Sequence, residues 1–270
     1  MSDGEPARRR ESTSVGVVAP ETDATAIVDA VDTAGGGVHD ATETAATETV
    51  STETAGIDPD AIVAVGDGGL RECVATDIGV PVLPIDVDRV PSLASGDDPD
   101  GIERFLAGEY PIRERPVVAV DTPTTNGRAL RDVALVTAAP ASISEFAVAA
   151  GTEVRGHDAE NDGNRTPFAR FRADGVVVAT PVGSHGYARA AGGPVVVDGT
   201  DVGAVVPISP FATDPDHWVV PLAGVSLTVE RDDADVELFV DGCSLGRVRS
   251  GSPVRITLDG TLRLASPHRV

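Results

Sequence analysis

Apolar and polar positions alternate along this chain in two different textures. From Val15 to about Gly108, short apolar runs trade places with longer segments of helical period: "VGVVAP" reads as a strand and "TDATAIVDAVDTAGG" as a helix closed by Gly. "AIVAVGDGG" follows as a strand and loop, "LRECVATDIG" as a helix, "VPVLPIDV" as a strand and "GIERFLAG" as a helix. Strands that alternate with helices predict a mostly parallel sheet covered by helices. From about Glu109 onward the runs are short, rich in Val and separated by Gly, Asp or Pro: "RPVVAV", "ALRDVALVTA", "SEFAVAAG", "FARFRADGVVVAT", "VGAVVPIS", "WVVPL", "VSLTVE", "VELFVDG", "VRITL" and "TLRLA". That pattern predicts a second, β-rich domain. The expected organisation is therefore a tail over residues 1–14, an α/β domain over 15–108 and a β-rich domain over 109–270. "GHDAENDGNRTP" reads as an exposed hairpin tip, and the Thr/Glu-rich segment over 41–56 as solvent-facing chain with no chemistry of its own.

Two stretches break the pattern. In "DGVVVATPVGSHGYARAAGGPVVV", Asp174 to Val197, the continuous apolar run Val176–Ala179 predicts a strand buried on both faces, and Pro181 ends it. Gly183, Ser184 and Gly186 then admit a close backbone approach before a helix starting near Tyr187. A strand that feeds a helix through small residues can hold an anion or polar ligand on unpaired N–H groups, although an ordinary strand-turn-helix connection has the same texture. In "VAVGDGGL", Val63 to Leu70, a buried strand runs into Gly66-Asp67-Gly68-Gly69. Ligands of open α/β sheets bind outside such strand ends. Glycines there let backbone approach phosphates, and a carboxylate can take a proton or help hold a metal ion. A plain left-handed turn is the alternative. A phosphate loop of the Walker type needs a lysine, and the dinucleotide spacing GxGxxG is absent.

Charge narrows the partners. The chain's 270 residues carry 43 acidic against 21 basic side chains, every basic one Arg, for a formal net charge of −22. Such a surface disfavours nucleic acid and anionic membranes as partners. It suits concentrated salt, where like-charge repulsion is screened, so a halophilic protein is expected. Cys73 and Cys243 are too few for a disulfide framework or a metal cage, and no apolar run is long enough to span a membrane. The Arg8-Arg9-Arg10 start has no hydrophobic segment behind it, so a soluble, cytoplasmic protein is expected. His39, His157, His217 and His268 are scattered and read as surface or turn residues rather than metal ligands.

Taken together, the blocks resemble the NAD kinase family over nearly the whole chain. That family carries a GGDGT loop in an α/β domain, then an Asn-Glu pair, then DG-x4-TPTGSTAY-x2-SAGGP in a β-rich domain. Here the last block stands as "DGVVVATPVGSHGYARAAGGP" and the first as "VGDGG"; "VVPISPF" and "FVDG" resemble two later family segments. The resemblance implies ATP-dependent phosphorylation of NAD to NADP, in a dinucleotide pocket between the two domains, with ATP, NAD and Mg2+ bound and a homo-oligomer, dimer or tetramer, as the assembly. It implies that Asp67 accepts the proton of the ribose 2′-hydroxyl that attacks the γ-phosphate, and that Gly66, Gly68 and Gly69 lie along the phosphates. Asp174 would meet the nicotinamide carboxamide, Ser184, His185 and Tyr187 would line the pocket, and Arg131-Asp132 would stand at the Asn-Glu pair, with Asp132 accepting from ribose hydroxyls.

The departures are Val65 for the first Gly of GGDGT, Gly69 for its Thr, Arg131 for the Asn, His185 and Gly186 for the Thr and Ala of GSTAY, and Pro84 and Pro91 where Gly is usual. Arg131 has no acceptor and carries a fixed charge, which favours a phosphorylated ligand. The alternative reading is a catalytically degenerate member of the family that binds a nucleotide as a sensor or partner subunit.

Overall fold

Valines at alternate or consecutive positions dictate the strands, and what lies on each face decides how continuous the runs are. Residues 13–40, 59–94, 100–139, 142–151, 166–231 and 234–267 are described in this computed structural model of the chain. The Arg8–Arg10 start, the Thr/Glu-rich segment, most of the "GHDAENDGNRTP" stretch, His157, His268 and the side chain of His39 lie outside them. Two compact units share the chain. The first takes residues up to Leu70, Gly79–Ile112 and those from Leu264; the second takes Arg71–Ile78 and Arg113–Arg263.

In the first unit, β1 (Ser14–Val18), β2 (Gly37–Asp40), β3 (Ala61–Val65) and β4 (Val82–Ile85) form a parallel sheet in the order β2-β1-β3-β4. The predicted helices appear as α1 (Thr25–Thr33), α2 (starting at Gly66) and α3 (Gly101–Leu106). Asp23 fixes the start of α1: its carboxylate accepts the Thr25 N–H at 3.0 Å and the Thr25 hydroxyl at 2.6 Å, bonds that hold its pKa below the usual value. Val15, Val17, Val31, Val63, Leu83, Ile85 and Phe105 close the core of this unit. Pro84 lies inside β4, where the chain folds back on the strand: the Pro84 carbonyl accepts the Leu93 N–H at 3.0 Å, and Asp86 N–H returns to the Leu93 carbonyl at 2.8 Å.

One boundary differs from the sequence reading. The GDGG residues are not a loop ahead of a helix at Leu70; they are the first turn of α2, Gly66–Ala75. Gly66 adopts φ +67°, which turns the chain from strand to helix within one residue.

The second unit has two sheets. One is antiparallel, in the order β12-β11-β10-β7-β14-β15, from β7 (Asp132–Thr137), β10 (Gly175–Ala179), β11 (Val202–Ile208), β12 (Trp218–Pro221), β14 (Val236–Val240) and β15 (Cys243–Val248). The other joins β16 (Pro253–Ala265), β13 (Val225–Val229), β8 (Ser144–Ala150) and β9 (Ala169–Ala173) in that order, with β5 (Ile112–Asp121) pairing β16 and β6 (Asn126–Ala129). The sequence splits β16 into "VRITL" and "TLRLA" around Asp259-Gly260. The strand instead runs through, with Gly260 at φ +91° absorbing the bend.

Strand β10 shows why its sequence is uninterrupted. Val176 and Val178 enter the core between the sheets with Leu135, Phe146, Leu227 and Leu238, while Val177 and Ala179 face Ala188 of the short helix α4 (Tyr187–Ala190). Its three valines, each no more than 2% exposed, contribute about 5–8 kcal/mol of gross hydrophobic stabilisation before chain entropy is counted.

Candidate active site

In the first unit the site candidates sit where the buried strand β3 meets α2. Asp67 is the acidic residue of the helix's first turn, where the N–H groups have no intrahelical partner and the macrodipole favours negative charge. A Cβ on Gly69 would collide with the Val18 carbonyl oxygen, so the helix lies directly on the end of β1. A side chain at position 69 therefore has no room in this chain. The turn after β1 lies over the same residues. The Glu21 carboxyl carbon is 3.0 Å from where a Gly68 Cβ would stand, and the Thr22 hydroxyl is 3.7 Å from that of Gly66. Glu21 and Thr22 were not legible as neighbours of GDGG, because 46 residues separate Glu21 from Asp67 and nothing local in "APETD" marks the contact.

In the second unit β10 delivers Thr180 and Pro181 to a 3-10 turn, Gly183–His185, and then to α4. Thr180 is 1% exposed and sits back-to-back with the chain between β6 and β7. Its hydroxyl donates to the Leu130 carbonyl at 2.6 Å and its N–H to the Arg131 carbonyl at 2.9 Å. Gly183 packs so tightly there that a Cβ would overlap the Arg131 carbonyl. Ser184 is fully buried. Its hydroxyl donates to the Pro181 carbonyl at 2.8 Å and accepts the Val196 N–H at 3.0 Å, which ties the chain after Gly193-Pro194 to the turn. Ser184 thus shapes the turn from inside, while His185 and Tyr187 reach the surface.

Asp132 and Asp174 both act on Tyr187 through their charge. Asp132 opens β7 opposite Ala179, on the strand face whose next residue, Ala134, packs beneath α4. Asp174 occupies the one-residue break between β9 and β10, its N–H on the Ile208 carbonyl at 3.0 Å and its carbonyl on the Thr137 N–H at 2.8 Å. The Tyr187 phenol is pushed above its usual pKa by burial and then by the negative charges of Asp132 and Asp174, so it stays a protonated donor at neutral pH. Arg131 precedes Asp132 in the chain, and one of its guanidinium nitrogens, Nη2, donates to the Asp241 carbonyl at 3.1 Å.

A residue that the sequence did not single out lies under the Arg131-Asp132 pair. Asp241, at the end of "FVDG", is 6% exposed and accepts backbone N–H bonds from Leu130, Arg131 and Asp132. Burial pushes its pKa up, opposed by those three bonds and by the Arg131 charge. An Asp-Gly after an alternating strand reads as a turn. Its burial depends on residues 109–111 positions away.

Among the described residues no three His, Cys, Asp or Glu side chains are grouped to hold a metal ion, and no helix is long and apolar enough to cross a membrane.

The comparisons agree with this architecture. A family model described as the ATP-NAD kinase C-terminal domain matches residues 131–258. The NAD kinase of Symbiobacterium thermophilum is 33% identical over 201 residues, spanning 72% of this chain and 68% of that protein. The NAD kinase of Thermomicrobium roseum is 35% identical over 202 residues, spanning 73% and 67%. The chain belongs to the NAD kinase family. Solved structures share the NAD kinase fold. Yeast NADH kinase complexed with NADH superposes with a TM-score of 0.72 at 15% identity, covering 96% of this chain and 84% of its own. An NAD kinase from Archaeoglobus fulgidus in complex with ATP gives 0.68 at 20% identity, covering 96% and 94%.

Proposed function

We propose that this NAD kinase family member transfers the γ-phosphoryl group of ATP to the 2′-hydroxyl of the adenosine ribose of NAD, giving NADP and ADP. The observation that carries the reading is Asp67, a carboxylate at the first turn of a helix that follows a fully buried strand without a loop. Relatives named NAD kinase, and fold neighbours solved with NADH and with ATP, support nucleotides as the substrates.

Asp67 accepts the hydroxyl proton as the ribose oxygen bonds to phosphorus, and the bond from phosphorus to the bridging oxygen breaks with its electron pair leaving on ADP. Gly66 and Gly68 put no side chain between the phosphates and the helix N–H groups, whereas Gly69 lies along them with its own Cβ position closed by the Val18 backbone. Magnesium bound with the ATP substrate would neutralise charge on its phosphates. In the second unit the Asp132 carboxylate accepts from ribose hydroxyls and Asp174 from the carboxamide. Tyr187 donates from its protonated phenol, Ser184 holds the turn that carries it, and His185 and Arg131 border the ligand, Arg131 favouring a phosphorylated one. The Gly69 departure removes a hydroxyl but leaves the proton acceptor in place.

The test is NADP formation from NAD, ATP and magnesium in about 2 M KCl, where surface repulsion is screened. Asp67→Asn should lower turnover by about two to four orders of magnitude, the usual cost of removing a general base, while NAD binding by calorimetry holds. No NADP from the unmodified protein would sink the activity; full turnover in Asp67→Asn would sink the role of Asp67.

A further inference from the structure

The chain between β6 and β7 leaves the sheet ladder for Leu130 and Arg131 and rejoins it at Asp132. A break of this kind strands backbone groups, and at Leu130, which is 1% exposed, water cannot satisfy them. Two residues do so. The Asp241 carboxylate takes all three N–H groups: Leu130 on Oδ2 at 2.8 Å, and Arg131 and Asp132 on Oδ1 at 2.7 and 3.0 Å. Thr180 takes two of the three carbonyls, donating its hydroxyl to Leu130 at 2.6 Å and its N–H to Arg131 at 2.9 Å. The third carbonyl, that of Asp132, accepts the Asp241 N–H at 3.0 Å. The three N–H and three C=O groups of Leu130–Asp132 are thus all held by Asp241 and Thr180, two residues from the turns after β14 and β10.

This is more than a turn needs. A buried carboxylate is costly unless it is well bonded, and an apolar or neutral side chain would close an ordinary break more cheaply. A carboxylate is acceptor-only, so it alone among the small side chains can take three N–H groups without offering a competing donor. It also sits at φ +47°, a left-handed conformation that Asp tolerates better than most residues. Three charge-assisted bonds into a rigid sheet fix the segment more tightly than water or a hydroxyl would.

We infer that Asp241 and Thr180 are positioning residues, which clamp the backbone of Leu130–Asp132 so that the Asp132 carboxylate is presented to the ribose hydroxyls of a bound dinucleotide. The inference rests on the role of Asp132 proposed above. Asp241 itself touches no substrate and acts through Asp132. Asparagine at 241 would keep the shape but turn an N–H2 toward one of the backbone N–H groups. Valine at 180 would keep the volume but leave the buried Leu130 carbonyl without its donor.

The experiment is a double-mutant cycle on NAD binding, read by calorimetry on the full chain and independent of turnover. Asp241→Asn and Thr180→Val, each confirmed folded by its circular dichroism and melting, should weaken NAD binding roughly ten- to a hundredfold, the range of one lost hydrogen bond to a charged group. With Asp132→Ala already present, each should weaken it less than about twofold, since the clamp then has nothing to aim. Equal losses in both backgrounds would show that the clamp is structural only and overturn the inference. Loss of affinity in Asp132→Ala with none in the clamp variants would overturn the clamp and leave the role of Asp132 standing. Unchanged affinity in Asp132→Ala would remove that role and the clamp with it. Should Asp241→Asn fail to fold, Thr180→Val, whose side chain is isosteric, completes the cycle alone.

Discussion

Replacing Gly69 with Ala adds one methyl group where the fold has no room for it. The new Cβ would run into the Val18 carbonyl oxygen and lie 3.3 Å from the Val18 carbonyl carbon and 3.4 Å from that of Ala64. All are backbone atoms of β1 and β3, which no rotamer change can move aside; relief requires lifting α2 off the sheet. Overpacking of this kind costs about 1–3 kcal/mol, and contact with backbone puts it near the upper end. Ala at a helical position returns about 1 kcal/mol over Gly, leaving a net loss of about 2 kcal/mol. At about 2–4 °C per kcal/mol for a chain of this size, the melting temperature should fall by about 4–8 °C. Asp67 lies two residues away on the same helical turn, so turnover should fall with it. A thermal melt at fixed KCl, alongside the NADP assay, measures both. A melting temperature unchanged or raised would refute the packing argument.

Three further outcomes follow from charge and burial. Melting temperature should rise as KCl goes from about 0.1 M to 2 M, because screening relieves a net charge of −22 while exposed pairs such as Arg247–Asp235, 66% and 60% exposed, are each worth only about 0–1 kcal/mol; a flat or falling curve would refute the halophilic reading. Cys243 is exposed, whereas burial pushes the Cys73 thiol up to about 12, so iodoacetamide near pH 8.5, the ordinary thiol pKa, should label Cys243 in the folded protein and reach Cys73 only on unfolding. By the same shift, stability that Cys73 lends below its ordinary pKa is lost as pH rises toward about 12, and Cys73→Val should flatten the alkaline side of a melting-temperature profile; equal labelling of both thiols in the native state would contradict the burial.

What the sequence alone determined is everything that repeats within a few residues. The continuous valines of β10 announced a strand covered on both faces, the alternation of strands and helical segments announced the parallel sheet around β3, and the order of the GDGG, Asp174–Pro194 and FVDG blocks carried the family. These signals are legible because side-chain period and backbone freedom are local properties, set by which neighbours share a face and which residues lack a Cβ. The tertiary structure alone decided where those properties were spent. It made GDGG the opening turn of α2 rather than a loop, and it laid the Val18 backbone where a side chain on Gly69 would go. It turned the Ser184 hydroxyl inward to Val196, and it carried β16 through an Asp-Gly that reads as a turn. It also buried Asp241 beneath Leu130–Asp132, across 111 residues in the case of Leu130. Hydrogen bonds over such separations leave no period in the chain, since their partners are brought together only when the strands that carry them pair.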